Sequence, residues 1–281
     1  MPPARRQSRP SGAAGRPRPA GQGGNARSAD AGRGGPKRPD RAPAARAPRP
    51  PRDERAARPP EPPLDDAIQA RDLDRGVRAG LRSLSDGLAD KIARHLVAAG
   101  LVVDEDPELA LAHAKYARSL APRLAVAREA VGVAAYRAGD FATALAELRA
   151  VRRMTGDPSY LPVLADCERG LGRPERALAL LRDPDVRRLG PAERVELAIV
   201  ESGARRDRGE LQAAVVALQG PALRRQEVAP WTARLWYAYA AALADAGRLD
   251  EAEKWFSSVV AIDEEGETDA EERLEELTKG R

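Results

Sequence analysis

Four times in this chain a glycine is followed five residues later by an alanine, and four residues after that by a large apolar residue. The sets are Gly139, Ala144 and Leu148; Gly172, Ala177 and Leu181; Gly209, Ala214 and Leu218; Gly247, Ala252 and Phe256. The alanines recur at positions 144, 177, 214 and 252, so the second and third intervals are slightly longer than the first. A weaker fifth set, Ala112 and Tyr116, lies about one interval upstream, with Pro107 where the glycine would stand. A period of this length is the mark of a stacked repeat. Each glycine falls between two helix-periodic segments, where a tight turn needs positive φ. Asp140, directly after Gly139, is a natural helix N-cap. The alanine lets the second helix of a hairpin approach the first, and the large residue one turn on fills the groove beside it. A lone hairpin leaves an apolar face uncovered; stacked hairpins cover it, so the pattern predicts an all-α solenoid of about four to five repeats.

The spacing predicts helices near 84–103, 107–121, 123–138, 140–154, 158–171, 173–183, 190–207, 209–220, 229–246, 248–262 and 268–278. Asp106-Pro107 and Asp157-Pro158 read as an N-cap followed by proline at the first helical position. Pro162 then either delays its helix or bends it. The two longer intervals place longer loops around 183–191 and 220–230. Leu73, Val77, Leu81, Leu84 and Leu88 step by four and three, predicting an amphipathic capping helix within 64–87. Thr268-x-x-Glu271 reads as a capping box opening an acidic helix at the other end.

The last repeat resembles the tetratricopeptide repeat, whose period is about 34 residues. Trp236, Tyr239-Ala240, Leu243, Ala252, Phe256 and Glu264 occupy that family's offsets, with Gly247 at the turn and Glu264 where the family has proline. The repeat at 125–158 keeps Val131-Gly132, Ala135, Gly139, Ala144 and Leu148; in the middle copies Leu164-Ala165 and Glu201-Ser202 stand in for the Leu-Gly pair. The resemblance covers roughly residues 88–263. It implies that Trp236 and Tyr239 pack between helices with Ala240, Leu243, Ala252 and Phe256, leaving Tyr237 as the more exposed ring. It also implies an inner face, lined by first helices, that takes an extended or helical peptide. Mapped onto the first helices here, the candidate partner-binding residues are Glu129, Tyr136, Arg137, Asp166, Arg169, Glu196, Arg206, Arg234, Tyr237 and Asp245. Some members grip a C-terminal carboxylate with Lys, Asn and Arg. The single asparagine of this chain, Asn25, lies outside the repeats, so that subclass is not expected.

The chain divides into a basic arm, 1–63, a repeat body, 64–263, and an acidic end, 264–281. The arm carries 15 Arg and Lys against 5 Asp and Glu, 15 of the 24 prolines, and no Leu, Ile, Val, Phe, Tyr or Trp. Such a segment cannot bury enough surface to offset about 1–2 kcal/mol per residue of backbone ordering, which predicts disorder. Its charge admits three readings: a linker, a salt-sensitive contact with nucleic acid or the ribosome, or docking on the acidic body. No aromatic residue interleaves with its arginines for base stacking. Arg outnumbers Lys 42 to 5, the codon bias of a high-GC genome such as an actinobacterium's.

Chemistry-bearing motifs are sparse. There is no Gly-rich phosphate loop and no paired-cysteine metal site. His95 and His113 fall on different predicted helices and read as surface or groove residues. Cys167, the one cysteine, reads as a buried structural thiol and fits a reducing compartment. Asp104-Glu105-Asp106 lacks a calcium loop's alternation and reads as capping charge, and Glu271, Glu272, Glu275 and Glu276 as a solvated face. The longest apolar runs, 96–103 and 236–244, are too short to span a bilayer, and no apolar signal core precedes them. The expectation is a cytoplasmic, non-enzymatic scaffold without cofactor or metal. It would bind a protein or peptide in its groove, with nucleic acid through the arm as the alternative and no membrane contact.

Overall fold

The computed structural model describes residues 58–224 and 228–279. The disorder expected of the arm falls on residues 1–57, outside the described residues. Among the described residues every regular element is helical. The helices are α1 (Arg75–Ala79), α2 (Asp86–Val102), α3 (Pro107–Leu120), α4 (Ala125–Arg137), α5 (Phe141–Thr155), α6 (Leu161–Gly170), α7 (Pro174–Leu180), α8 (Pro191–Asp207), α9 (Leu211–Leu218), α10 (Thr232–Asp245), α11 (Leu249–Val260) and α12 (Ala270–Lys279). From α2 to α11 they form five consecutive pairs, each packed on the next, and α12 packs on α11.

The turn inside each of the last four pairs is built the same way. Gly139, Gly172, Gly209 and Gly247 have φ of 73°, 70°, 73° and 76°. The residue after each glycine donates its N–H to the carbonyl five residues back: Asp140 to Ala135, Arg173 to Glu168, Glu210 to Arg205 and Arg248 to Leu243, at 2.8–2.9 Å. This closure satisfies a carbonyl that the helix end would otherwise leave unpaired, and it needs a left-handed residue. Asp140 then caps α5 by accepting from the N–H of Thr143 at 3.1 Å.

Ala144, Ala177, Ala214 and Ala252 are fully buried, as are Leu148 and Phe256. Leu181 is only half-buried, because α7 ends at Leu180. The first pair breaks the expected register. Ala112 is exposed, whereas Ala110 and Ala114 are fully buried. The packing alanine is therefore Ala110, which stands one repeat before Ala144. Its turn has no glycine; Asp106 donates to the Val102 carbonyl at 2.7 Å and caps α3 through Leu109 at 3.0 Å.

Both longer intervals are accommodated between pairs. Short 3-10 helices at Pro184–Arg188 and Pro221–Arg224 each bring a buried leucine, Leu189 and Leu223, against the core. Arg152 on α5 clamps the first of these loops, donating to Asp183 at 2.8 Å and to Asp185 at 2.7 Å. Three expected starts are corrected. Asp157-Pro158 does not open a helix: α6 begins at Leu161, which puts Pro162 in the first turn, where its missing N–H costs nothing. Thr268 does not cap α12, because its N–H and hydroxyl both donate to Asp263, at 2.9 and 2.6 Å. The continuous helix expected over 64–87 is instead a strap: a 3-10 turn at Ala70–Asp72, short α1 capped by Asp74, and a turn through Gly80. Leu81 is buried, and Leu73, Val77 and Leu84 pack beside it against α2, whose Leu88 joins the same cluster.

The strap begins inside the expected arm. Pro62 is buried, and Glu61 reaches Lys91 on α2 at 2.7 Å and Tyr116 on α3 at 2.6 Å. Arg94 donates to the carbonyls of Ile68 and Asp65 at 2.8 and 3.2 Å. Residues 58–84 therefore cover the face of α2 that a preceding helix pair would cover in a longer array. At the far end Ala270 is buried, and Leu274 and Leu277 of α12 pack on the last pair.

Candidate functional site

Three of the four steps between successive first helices are in direct contact, α2 with α4, α6 with α8 and α8 with α10, and side-chain bonds bridge α4 and α6, while second helices of successive pairs make no contact of that extent. The first helices α2, α4, α6, α8 and α10 thus form one layer of the stack, the inner layer of a helical-repeat array. The partner-binding candidates all lie on this layer, and the structure joins them to one another and to neighbouring helices. Tyr160, at the start of α6, donates its hydroxyl to Glu129 at 2.7 Å. Tyr136 donates to Asp166 at 2.6 Å. Arg169 spans Asp166 at 2.8 Å and Asp207 at 2.7 Å. Arg206 meets Asp245 at 2.6 Å, and Arg234 meets Glu196 at 2.6 Å. Arg137 turns away and pairs with Asp104 at 3.4 Å.

The partners in the bonds between first helices are 30 to 39 residues apart, about one repeat. The candidates thus tie neighbouring pairs together as well as lining the inner face. Gly203 makes room for one such tie: a Cβ there would come within 2.7 Å of the Arg169 guanidinium carbon.

Two open cavities lie along the layer. One, of about 470 Å³, is walled by Arg169, Arg206, Arg234, Tyr237 and the 267–269 segment. The other, of about 510 Å³, opens at the layer's edge beside the α6–α7 turn, walled by Asp166, Arg169 and Asp207 with Phe141 of α5 and Glu175 of α7. Towards the first pair the layer becomes apolar, with Leu96, Val103, Val126 and Val133 around Glu129. A further cavity, about 590 Å³, lies elsewhere, between α1 and α2 at the strap, where Asp86 and Asp90 offset Arg75, Arg78 and Arg82. In the first of the groove cavities the hydroxyl of Ser202, on a residue 2% exposed, has no hydrogen-bond partner.

Tyr237, expected to be the exposed ring, is half-buried edge-on against Phe256, with centroids 5.6 Å apart. Burial and a hydrogen bond to Asp269 push its hydroxyl up to about 12. Burial, with Asp166 and Glu129 respectively, likewise pushes Tyr136 and Tyr160 above the usual phenol value. Trp236 packs edge-on against Trp255 at 5.6 Å, and Tyr239 is buried with Ala240, Leu243 and Ala252. Gly132 sits against Leu148, and Ala165 is fully buried in the third pair.

The histidines are corrected outright. His95 is 0% and His113 3% exposed, and their Nδ1 atoms face each other at 2.9 Å between α2 and α3. His95 Nε2 points to Glu61 at 3.4 Å, and the His95 ring lies 4.6 Å from that of Tyr116. Burial lowers the pKa of both; for His95, Glu61 opposes that shift while Lys91 and Arg94 reinforce it. Glu61 is held at about 2 by its bonds to Lys91 and Tyr116. Sequence reasoning missed this cluster. Its one signal was a lone glutamate, Glu61, standing within a proline run far upstream of His95.

Cys167 is fully buried, and burial, with Asp166 and Glu168 beside it, pushes the thiol up to about 12. It is no nucleophile at neutral pH. Among the described residues no group of three or more His, Cys, Asp or Glu is placed to hold a metal ion. No described helix is long and apolar enough to cross a membrane. Compared with known proteins, the chain matches no protein-family model and no curated protein.

Proposed function

We propose that the chain is a solenoid of tetratricopeptide-like repeats. It acts as a non-enzymatic, cytoplasmic scaffold that binds a protein or peptide segment along the inner layer of first helices. The observation that carries this reading is the face formed by α4, α6, α8 and α10, tied across each step by side-chain bonds. Its side chains are polar and oriented by one another, and two cavities open between them. Side chains already locked in place lose little further entropy on binding, which favours recognition. The single thiol, buried and protonated, supports scaffold over enzyme and fits a reducing compartment.

The second reading is association with nucleic acid through the arm, supported by its surplus of ten positive charges (15 against 5). Affinity capture from lysate separates the two. It would use the full chain and an Ala238→Arg variant that fills the groove wall, each with and without nuclease. The scaffold reading predicts protein partners that survive nuclease and are lost with Ala238→Arg. Capture that ignores the substitution and vanishes with nuclease contradicts it.

A further inference from the structure

The charges of the inner layer do not balance. Three arginines face it, and each already has a carboxylate: Arg169 has Asp207, Arg206 has Asp245 and Arg234 has Glu196. Three more carboxylates remain, each beside a tyrosine. Tyr160 donates to Glu129 and Tyr136 to Asp166, while Asp269 and Tyr237 line the same cavity. Asp166 shares Arg169 with Asp207, so one cation there faces two acids. A phenol hydroxyl fixes a carboxylate in place but neutralises none of its charge. Each site therefore presents an oriented negative oxygen beside an aromatic ring, the pair of features that attracts a guanidinium or ammonium group. Glu267, exposed at the last cavity, adds to the surplus.

Glu129 and Tyr136 lie two turns apart on α4, which is about 10 Å along a helix. An extended chain covers that in about three residues.

We propose that the groove takes a cationic extended peptide, with Arg or Lys side chains meeting the carboxylates Glu129, Asp166 and Asp269 that stand beside tyrosines, about three residues separating the first two. This rests on the groove reading and adds the chemistry of the partner. The field of the surplus acids draws the peptide in, and salt weakens that attraction.

The test is fluorescence anisotropy on the full chain with three labelled dodecapeptides. One carries arginine at every third position, one carries glutamate there, and one carries serine. The variants are Glu129→Gln and Asp269→Asn, which keep an oxygen acceptor for the tyrosine and remove the charge, and the groove-filling Ala238→Arg. The expected result is that the arginine peptide binds at least tenfold tighter than the serine peptide and weakens between 50 and 200 mM salt. Each charge variant should lower its affinity about fivefold. Equal or tighter binding of the serine or glutamate peptide, lost in Ala238→Arg, overturns the charge assignment but keeps the groove. Failure of every peptide to respond to Ala238→Arg overturns the groove reading and this inference together.

Discussion

Both histidines of the chain form one buried pair, and that makes a sharp prediction about acid. Two Nδ1 atoms 2.9 Å apart have room for one proton between them. Because His95 Nε2 faces the Glu61 carboxylate, the pairing assigns the proton on that side to Nε2. His95 Nδ1 then accepts from the Nδ1–H of His113. Protonating His95 puts two donors face to face, and protonating either ring places a charge where water does not reach. Around the pair stand Glu61 from the strap, Lys91 and Arg94 from α2, and Tyr116 from α3. Glu61 alone favours a proton on His95. The folded pKa of each histidine is thus below its unfolded value of about 6.5.

The sign follows directly. The pair's contribution is fully present above pH 6.5. It is lost as pH falls below 6.5, because the unfolded chain gains protons that the folded chain refuses. While the pair stays neutral, each histidine steepens the slope by up to about 1.4 kcal/mol per pH unit. The assay is urea unfolding of the parent and of His113→Asn at pH 7.5, 6.5, 5.8 and 5.0. Carboxylates contribute to both proteins, so the difference between the two slopes isolates one imidazole. The parent should lose stability faster below pH 6.5, by up to about one proton's slope. Coincident slopes from 6.5 to 5.0 would show that the pair is not buried and neutral. Glu61 acts in a separate window: its depressed pKa supports stability that is lost only as pH falls from about 4.5 towards about 2.

Gly132→Ala should cost about 1–3 kcal/mol, because the new Cβ would lie 2.6 Å from the buried Leu148 side chain. In a Leu148→Ala background the same methyl fills vacated space, so a double-mutant cycle should show strong coupling; additive costs would refute the contact. The Cys167 thiol should resist a thiol reagent at pH 8 in the folded chain and react at once in urea, since burial keeps it protonated. Rapid labelling of folded protein would contradict its burial.

The parts of the fold that were legible in the sequence are those where backbone chemistry leaves no substitute. A turn at φ near 70° calls for glycine, so Gly139, Gly172, Gly209 and Gly247 announced four helix pairs. The first pair announced itself poorly. Its turn has no glycine, and α3 offers alanines at 110, 112 and 114, so the apolar pattern could not choose a register. The helix that carries each partner-binding candidate was legible because the repeat fixes which helix is first. Their mutual bonds were not, because each joins side chains about one repeat apart, and pairing across that distance depends on how the helices stack. Pro158 and Pro162 competed to open one helix, and the second prevailed by occupying the first turn. The Glu61–His95–His113 cluster was hidden for the same reason: three segments meet there, and one is the proline-rich start of the strap, residues 58–63, which has no periodicity of its own.

Peptide binding along the inner layer of first helices is open to direct test. The direct measurement is site-specific photo-crosslinking of the full chain to peptides selected from a random library. The photoreactive residue would replace Tyr237 on the inner layer in one protein, and Val216, exposed on second helix α9, in another. Peptide should crosslink at 237, with an excess of unlabelled peptide abolishing the product, and should leave 216 unlabelled. Crosslinks at 216, or none at 237 with peptide bound, would place the binding surface elsewhere and contradict the claim.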